Sequence, residues 1–497
     1  MSILRKILIA LLVIVVLLAA AAFYFTRGDT AELSVDEVTG TEPTLAEPEA
    51  ESFPTVQIAK PVGWEAGDLP VAGEGLAINR FAEGLDHPRV LYALPNGDVL
   101  VTLTRAPAAV ESDSEGGFME WVTGLVAGYL FSEAGAAGES PNQIVLLRDE
   151  DGDGVAETQQ VILEEGLDSP SGMSWGADTL YVANHDEVLA FPYELGSLEV
   201  TGEPTKIMDL APGGGHWMRN MELHPEGDRL YVAVGSVSNI GEFGMEVEQG
   251  RAMIWEYNLT TERQRQFGVG MRNPNGMDFS PWTGELWTTV NERDMLGSDL
   301  VPDYLTNVPI GAQYGWPWIY FKENFDRRVE IPMPAYLQEY ARNPEYAMGP
   351  HVAALGLVFT AEGHVMGEAF GSGAFVARHG SWNRKPPSGY DVVYVAFDER
   401  GNPQGTPTPV MTGFLNEDGT TKGRPTWVEW GGDGALLVSD DTAGIIWRAV
   451  APDAEPGAAI ERISGERLRP QRNLVDPRTA TPASFGADDF ARTQPSQ

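Results

Sequence analysis

The chain has 497 residues, 43% of them apolar, with 56 glycines, 35 prolines and no cysteine. Its formal net charge is −39, from 72 acids against 33 bases, a balance that argues against nucleic acid as a partner and fits a strongly solvated acidic surface. The missing cysteines exclude disulfides and thiolate metal sites, while the length allows one large domain or several.

The N-terminus reads as a separate device. Arg5 and Lys6 precede an uncharged apolar run over residues 7–25, and Arg27 follows it. At ~1.5 Å per residue the run nearly crosses the ~30 Å hydrocarbon layer of a bilayer. The leading basic residues place that end in the cytoplasm, and Phe23, Tyr24 and Phe25 suit an interface. A cleaved signal peptide is the competing reading, but the run is long for one. The sequence thus predicts a transmembrane anchor over 1–27. Residues 28–56 carry eight acids and no base, which predicts a disordered acidic linker holding the rest off the membrane.

From residue 57 to 452 the pattern changes. Six times an apolar strand runs into a tight polar turn and out into a second strand, over 89–104, 172–190, 220–236, 276–292, 356–380 and 427–450. The turns read like Pro95-Asn96-Gly97-Asp98, Pro225-Glu226-Gly227-Asp228 or Gly432-Asp433-Gly434. Six such hairpins predict an all-β fold, a six-bladed β-propeller. Residues 107–142 form an insertion after the first hairpin. There Phe118, Trp121, Val122, Leu125, Tyr129 and Leu130 recur at helical spacing, so a small helical insertion is expected. It would pack on the propeller, cap the channel, or face a membrane or a partner.

Further on, Asp149-Glu150-Asp151-Gly152-Asp153-Gly154 places Asp149, Asp151 and Asp153 at alternate positions, as in a loop that wraps a calcium ion. Gln160 stands at its twelfth position in place of a bidentate Glu, and the flanking segments 143–148 and 160–163 read as strands. A structural calcium site and a solvated acidic turn both remain open. Residues 453–497 lack strand alternation and read as an extended tail.

Basic residues fall at one phase of the repeat. Arg89, His216 with Arg219, Arg272 with Asn273, His351 and Arg424 each precede or open a copy, which in a propeller lines one mouth of the central channel. Three glycines lead into His216 and let the backbone approach a neighbour closely. Any one arginine can serve a structural ion pair. Several at one phase, in so acidic a protein, suit a polyanionic ligand, because the guanidinium fork holds carboxylates at two points.

These residues carry a resemblance. Gly-His-Trp-x-Arg-Asn, Arg-Asn-Pro-x-Gly, Val-Asn-Glu-Arg-Asp, Leu-Val-Pro-Asp-Tyr-Leu-Thr, Tyr-Gly-Trp-Pro, His-Gly-Ser-Trp-Asn-Arg and Gly-Arg-Pro occur in that order. Over about 77–450 the chain resembles the sorbosone dehydrogenase and soluble quinoprotein glucose dehydrogenase family, and is closer to the sorbosone branch. Such enzymes are six-bladed propellers that carry pyrroloquinoline quinone (PQQ) and calcium. The resemblance implies that His216 is the general base and that Arg272 stabilises charge on the quinone. It implies cofactor contacts from Arg89, Arg272, Asn273, Asn291, Arg384 and Arg424. It assigns calcium to the main-chain carbonyls of Glu292 and Arg293, with Asp299 near the ion. His351 matches a pocket position, and Thr426 stands where the glucose enzyme has a second arginine.

The expectation is a membrane-anchored dehydrogenase of a sugar or sugar-derived aldehyde. It would sit in the inner membrane, face the periplasm and pass electrons to a separate acceptor, since no haem motif is present. Two rivals remain. A calcium-dependent propeller hydrolase of the sugar-lactonase type would use Glu292, Asp294 and Asp299 as metal ligands. A non-catalytic glycan- or protein-binding propeller would need neither His216 nor the arginines.

Overall fold

The computed structural model describes residue 5 and residues 28–107, 133–135, 138–212 and 214–463. Among the described residues six sheets follow one another along the chain, each built on four antiparallel strands, and two of them carry a fifth edge strand. Blade 1 is Pro88–Ala93, Val99–Leu103, Gln143–Arg148 and Thr158–Leu163. Blade 2 runs from Met173–Gly176 to Thr205–Asp209, blade 3 from Met221–Leu223 to Arg263–Val269, and blade 4 from Asn273–Phe279 to Tyr346–Pro350. Blade 5 comprises Ala354–Phe359, Gly373–Arg378, Asp391–Phe397 and Pro403–Thr412, with Val71–Ala72 added at its edge. Blade 6 closes the ring. Its three inner strands, Pro425–Trp430, Leu436–Asp440 and Ile445–Val450, take their outermost partner from Ala77–Glu83 near the other end of the chain. The fold is a six-bladed β-propeller.

The first strand of every blade lines the central channel, and all six run the same way. Asn273 therefore sits at one end of the channel and Phe279 at the other. The neighbouring inner strands come close because glycine recurs at one position. A Cβ on Gly172 would meet Met221 N at 2.4 Å, one on Gly276 would meet Leu355 O at 2.3 Å, and one on Gly356 would meet Trp427 Cα at 2.6 Å. Between the blades lie buried Val, Leu, Ile and Phe from facing sheets, so the core is a ring of wedges around a polar channel.

Residues 28–56 are not a free spacer. Val38 is buried, Gly40 bridges Ala347, and Thr44 N donates to Glu37 O. The composition was acidic enough to suggest disorder, but main-chain amides of this segment find carboxylate and carbonyl partners on the propeller. It is a strap laid along the His216 end of the channel. The expected anchor over 7–25 and most of the 107–142 insertion lie outside the described residues, as does the tail beyond 463. Among the described residues no helix is long and apolar enough to cross a membrane. The insertion leaves blade 1 at Leu103 and returns at Gln143, which pair at the His216 end.

Candidate active site

His216 lies in the loop entering blade 3, with its Nδ1 2.8 Å from Ser236 O. A carbonyl only accepts, so Nδ1 carries the hydrogen and Nε2 keeps its lone pair. Burial pushes the imidazole down to about 3, and the Arg272 guanidinium adds to the effect. The ring is therefore neutral at ordinary pH. Gly235 makes room for it: a Cβ there would fall 2.3 Å from Asn273 Oδ1 and 2.5 Å from His216 Cβ. One small residue thus brings the histidine of blade 3 against the asparagine of blade 4.

Arg272 is buried beside them. Its Nη1 donates to Glu292 O at 2.7 Å, its Nε to Asn239 O at 3.2 Å, and its Nη2 to Asp294 Oδ2 at 2.8 Å. The other oxygen of Asp294 is 3.3 Å from His351 Nδ1, and His351 Nε2 meets Gly297 O at 3.1 Å. Burial pushes Asp294 up, but Arg272 and then His351 outweigh it and hold the carboxyl below its usual range. Burial pushes His351 down, and the bond to Asp294 more than reverses this. Arg272, Asp294 and His351 form one continuous chain of polar contacts. Asp303 underpins it, accepting from Glu292 N and Ala353 N at 2.7 Å each, and burial pushes that carboxyl up to about 7.

Amides complete this wall. Asn273 Nδ2 and Asn275 Nδ2 donate to Asn291 Oδ1 at 3.1 and 3.0 Å, and Asn291 Nδ2 donates to Ala354 O at 2.8 Å. Asn220 Nδ2 reaches Asn275 Oδ1 at 3.3 Å, while its own Oδ1 is buried without a partner.

Across the channel a second cluster centres on Asp441. Its Oδ2 lies 2.5 Å from Arg89 Nη1, 3.0 Å from His379 Nε2 and 3.7 Å from His87 Nε2. Burial raises Asp441, but His379, His87 and Arg89 together hold it well below the usual carboxylate range. Burial pushes His87 down to about 4. Arg424 stands nearby, 5.6 Å over the Tyr390 ring, and donates to Ala59 O at 3.3 Å. Burial, and less strongly the neighbouring Arg424 charge, weigh on the Arg89 guanidinium and lower its pKa. The Nε atoms of both arginines are buried with no hydrogen-bond partner. Sequence reasoning singled out neither His87 nor Asp441. Asp441 follows the second strand of blade 6, and no motif marked it.

Other expected residues stand elsewhere. Asp299 was expected at the metal, but Oδ1 pairs with Arg384 Nη2 at 3.0 Å and Oδ2 accepts Glu32 N and Leu33 N at 2.6 and 2.9 Å. Oδ2 is taken up by the strap, while Oδ1 accepts a single bond from the arginine, so this carboxylate ties the strap and Arg384 together and keeps acceptor capacity on Oδ1. Arg384, expected on a cofactor carboxylate, is correspondingly neutralised by Asp299 and also donates to Pro386 O. The Glu292 side chain turns to Arg293 Nε at 2.9 Å, and fully buried Arg293 holds Pro317 O and Ile319 O. Arg219, expected at the mouth, is buried and holds the carbonyls of His216 and Ala211. The three carboxylates a hydrolase would need as metal ligands thus each face a protein cation.

Asp149, Asp151 and Asp153 do converge, with Glu157 as a fourth, their ligand atoms within 4.8 Å of one another. The turn joins the two outer strands of blade 1 at the end opposite His216. Asp149 accepts Gly152 N and Gly154 N, so the loop also closes on its own main chain. Gln160 lies in the following strand and takes no part.

The TrAA12-like family profile matches residues 140–308 and 335–450, more than half of the chain. The chain belongs to that family. The glucose/sorbosone dehydrogenase profile also matches, over 256–377. A pyrroloquinoline quinone-dependent pyranose dehydrogenase of Coprinopsis cinerea is 24% identical over 377 residues, covering 62% of this chain and 50% of that protein. The chain therefore spans about half the length of that relative. An uncharacterized protein of Borreliella burgdorferi is 25% identical over 293 residues, 57% of this chain and 76% of that one. Among solved structures, a Trichoderma reesei enzyme of carbohydrate-active family AA12, described as a calcium structure, superposes with TM-score 0.61 at 19% identity. It covers 79% of this chain and 98% of that one. The PQQ domain of the C. cinerea pyranose dehydrogenase superposes with TM-score 0.59 at 18% identity, over 79% and 100%. At these identities the superpositions speak for the shared propeller.

Proposed function

We propose that this TrAA12-like propeller is a quinoprotein dehydrogenase, taking hydride from a sugar or sugar-derived aldehyde with PQQ and calcium as cofactors. The observation that carries the reading is the Arg89–Arg424 cluster. Two partly buried arginines, each with an enclosed and unused Nε donor, share the neighbourhood of one carboxylate, Asp441, which two histidines also approach. Two guanidiniums against one carboxylate in a half-enclosed site suit an anionic ligand, and the carboxylates of PQQ fit that requirement. The unpartnered Asn220 Oδ1 on the opposite wall offers a further polar contact.

PQQ, when bound, supplies the carbon that accepts hydride. The protein's part is positioning and proton handling. Arg89 and Arg424 would hold carboxylates. Arg272, fixed by Asp294 and Glu292 O, presents fixed positive charge where negative charge develops. His216 takes the substrate hydroxyl proton at Nε2, while the Ser236 carbonyl keeps the other nitrogen protonated. A polyanion beside Arg272 offsets the field that depresses His216, and so strengthens the base when the site is loaded. Calcium would be held by the main-chain carbonyls of Glu292 and Arg293. The Glu292 oxygen already accepts from Arg272 and has a second lone pair. The sorbosone-like signature points to an aldose or ketose-derived substrate. We read residues 7–25 as a membrane anchor that places the propeller in the periplasm, with a separate electron acceptor.

The test is dye reduction by the purified chain with PQQ, calcium and a panel of sugars and sugar aldehydes. Turnover that requires both cofactors is expected. A folded protein inert toward the whole panel, with cofactor bound, would sink the dehydrogenase reading.

A further inference from the structure

The strap meets the propeller at a telling place. Asp29 N donates to Thr55 Oγ1, and Asp29 Oδ2 accepts Ser298 N at 2.7 Å. Ala31 N donates to Lys385 O, and Glu32 N and Leu33 N to Asp299. Ser298 and Asp299 lie in the loop that also supplies Asp294 and Gly297 to the candidate site. Lys385 lies in the loop after the second strand of blade 5, whose Arg378 pairs with Ala354 at the same end. The chain is thus already fastened to the mouth rim at residues 29–33.

The apolar run ends at Phe25. Two residues, Thr26 and Arg27, separate it from Gly28, and the three chain steps between them reach at most ~10 Å at ~3.5 Å per residue. That is too short to carry the run to the far end of the propeller. Beside the same point the rim is apolar where it should be polar. Phe53, Val56 and Trp382 are 54%, 40% and 42% exposed. They adjoin one another through Gln57 N to Trp382 O, and Asn383 Nδ2 to Thr55 O, with Thr55 also holding Asp29. Aromatic and branched apolar side chains of this kind favour the bilayer interface.

Resting on the reading of residues 7–25 as an anchor, we infer that the mouth of the channel faces the membrane. The rim formed by Phe53, Val56 and Trp382 sits in the lipid interface. The site then opens toward the bilayer, and its electron acceptor is a partner that reaches the membrane surface. The acids Asp29, Glu32, Asp36 and Glu37 on the strap set the lipid preference: they repel an anionic surface, so apposition is closest on zwitterionic lipid.

The absence of cysteine makes the test direct. Val56→Cys and, at the opposite end, Glu226→Cys are each spin-labelled in the full chain, reconstituted into phosphatidylcholine vesicles. Glu226 lies in the turn between the first two strands of blade 3, with its side chain 73% exposed. The expected result is a label at 56 that collides severalfold more with oxygen, and less with a water-soluble nickel complex, than the label at 226. Equal, water-like accessibility at both sites in vesicle-bound protein would overturn the orientation. A chain that does not bind the vesicles would overturn the anchor, and the orientation with it. A label at 56 that is equally protected in detergent, in particles with the mass of two copies, would assign the patch to a second chain and also overturn the proposal.

Discussion

At the scale of single residues, His216 and Arg272 have different tasks in the proposed dehydrogenase reaction. His216 is uncharged and touches main chain, so it adds little to holding an anion. His216→Ala should lower turnover by ~10²–10⁴-fold and change cofactor affinity far less. Arg272→Ala removes a buried charge and leaves Asp294 facing only His351, so both affinity and hydride transfer should fall. Stopped-flow reduction of loaded variants separates the two steps. Wild-type quinone reduction by His216→Ala would remove it as the base. The sequence made these positions legible because each stands at a fixed offset from a hairpin turn. Asp441 and the Asp299–Arg384 pair were not legible. His379 and Asp441 are 62 residues apart, and Asp299 and Arg384 are 85 apart, with partners set by the closing of the ring and by the strap.

At the scale of elements, the blades were readable because alternation and turn residues are local properties. The strap was not, because its order comes from amides donating to side chains more than 260 residues away. Glycines on the inner strands show how tightly the elements meet. Gly356→Val would drive a branched side chain into Trp427 and Val428 backbone, and should destabilise by at least ~1–3 kcal/mol. Gly215→Ala, whose Cβ would meet nothing within 4 Å, should leave stability unchanged. Urea unfolding of both variants measures the difference. An unaffected Gly356→Val would mean that the inner strands are not in backbone contact there.

At the scale of the whole molecule, the two ends of the channel carry opposite electrostatics. The mouth gathers cations and depressed histidines. The far end holds a cavity of about 330 Å³ with Glu222, Asp278 and Glu429 from three blades. Burial pushes Asp278 up to about 7 and Glu429 up to about 8, and raises Glu222 well above its usual value. The fold keeps the protons of these acids to higher pH than an unfolded chain, which would release them near pH 4. Their contribution is therefore complete below that pH and is lost as pH rises toward 8, at up to ~1.4 kcal/mol per pH unit for each group. His87 and His216 act in a lower window. With depressed values of about 4 and 3, they lose their contribution only as pH falls below ~6.5. Between about pH 7 and 8 the slope comes from these acids and from His351, whose raised value adds a loss of the same sign as pH rises. Stability should fall over that interval, and Glu429→Gln should flatten the fall, as read by urea midpoints. An unchanged slope in the variant would contradict this.

The central claim is that the basic mouth of this propeller is built for PQQ. Titrating the purified full chain with PQQ in calcium-containing buffer, by calorimetry and cofactor absorbance, tests it most directly. One saturable site per chain is expected, weakened at least tenfold in Arg89→Met and in Arg424→Met. A folded chain that binds no PQQ with calcium present, or binds it equally well without these two arginines, would contradict the account.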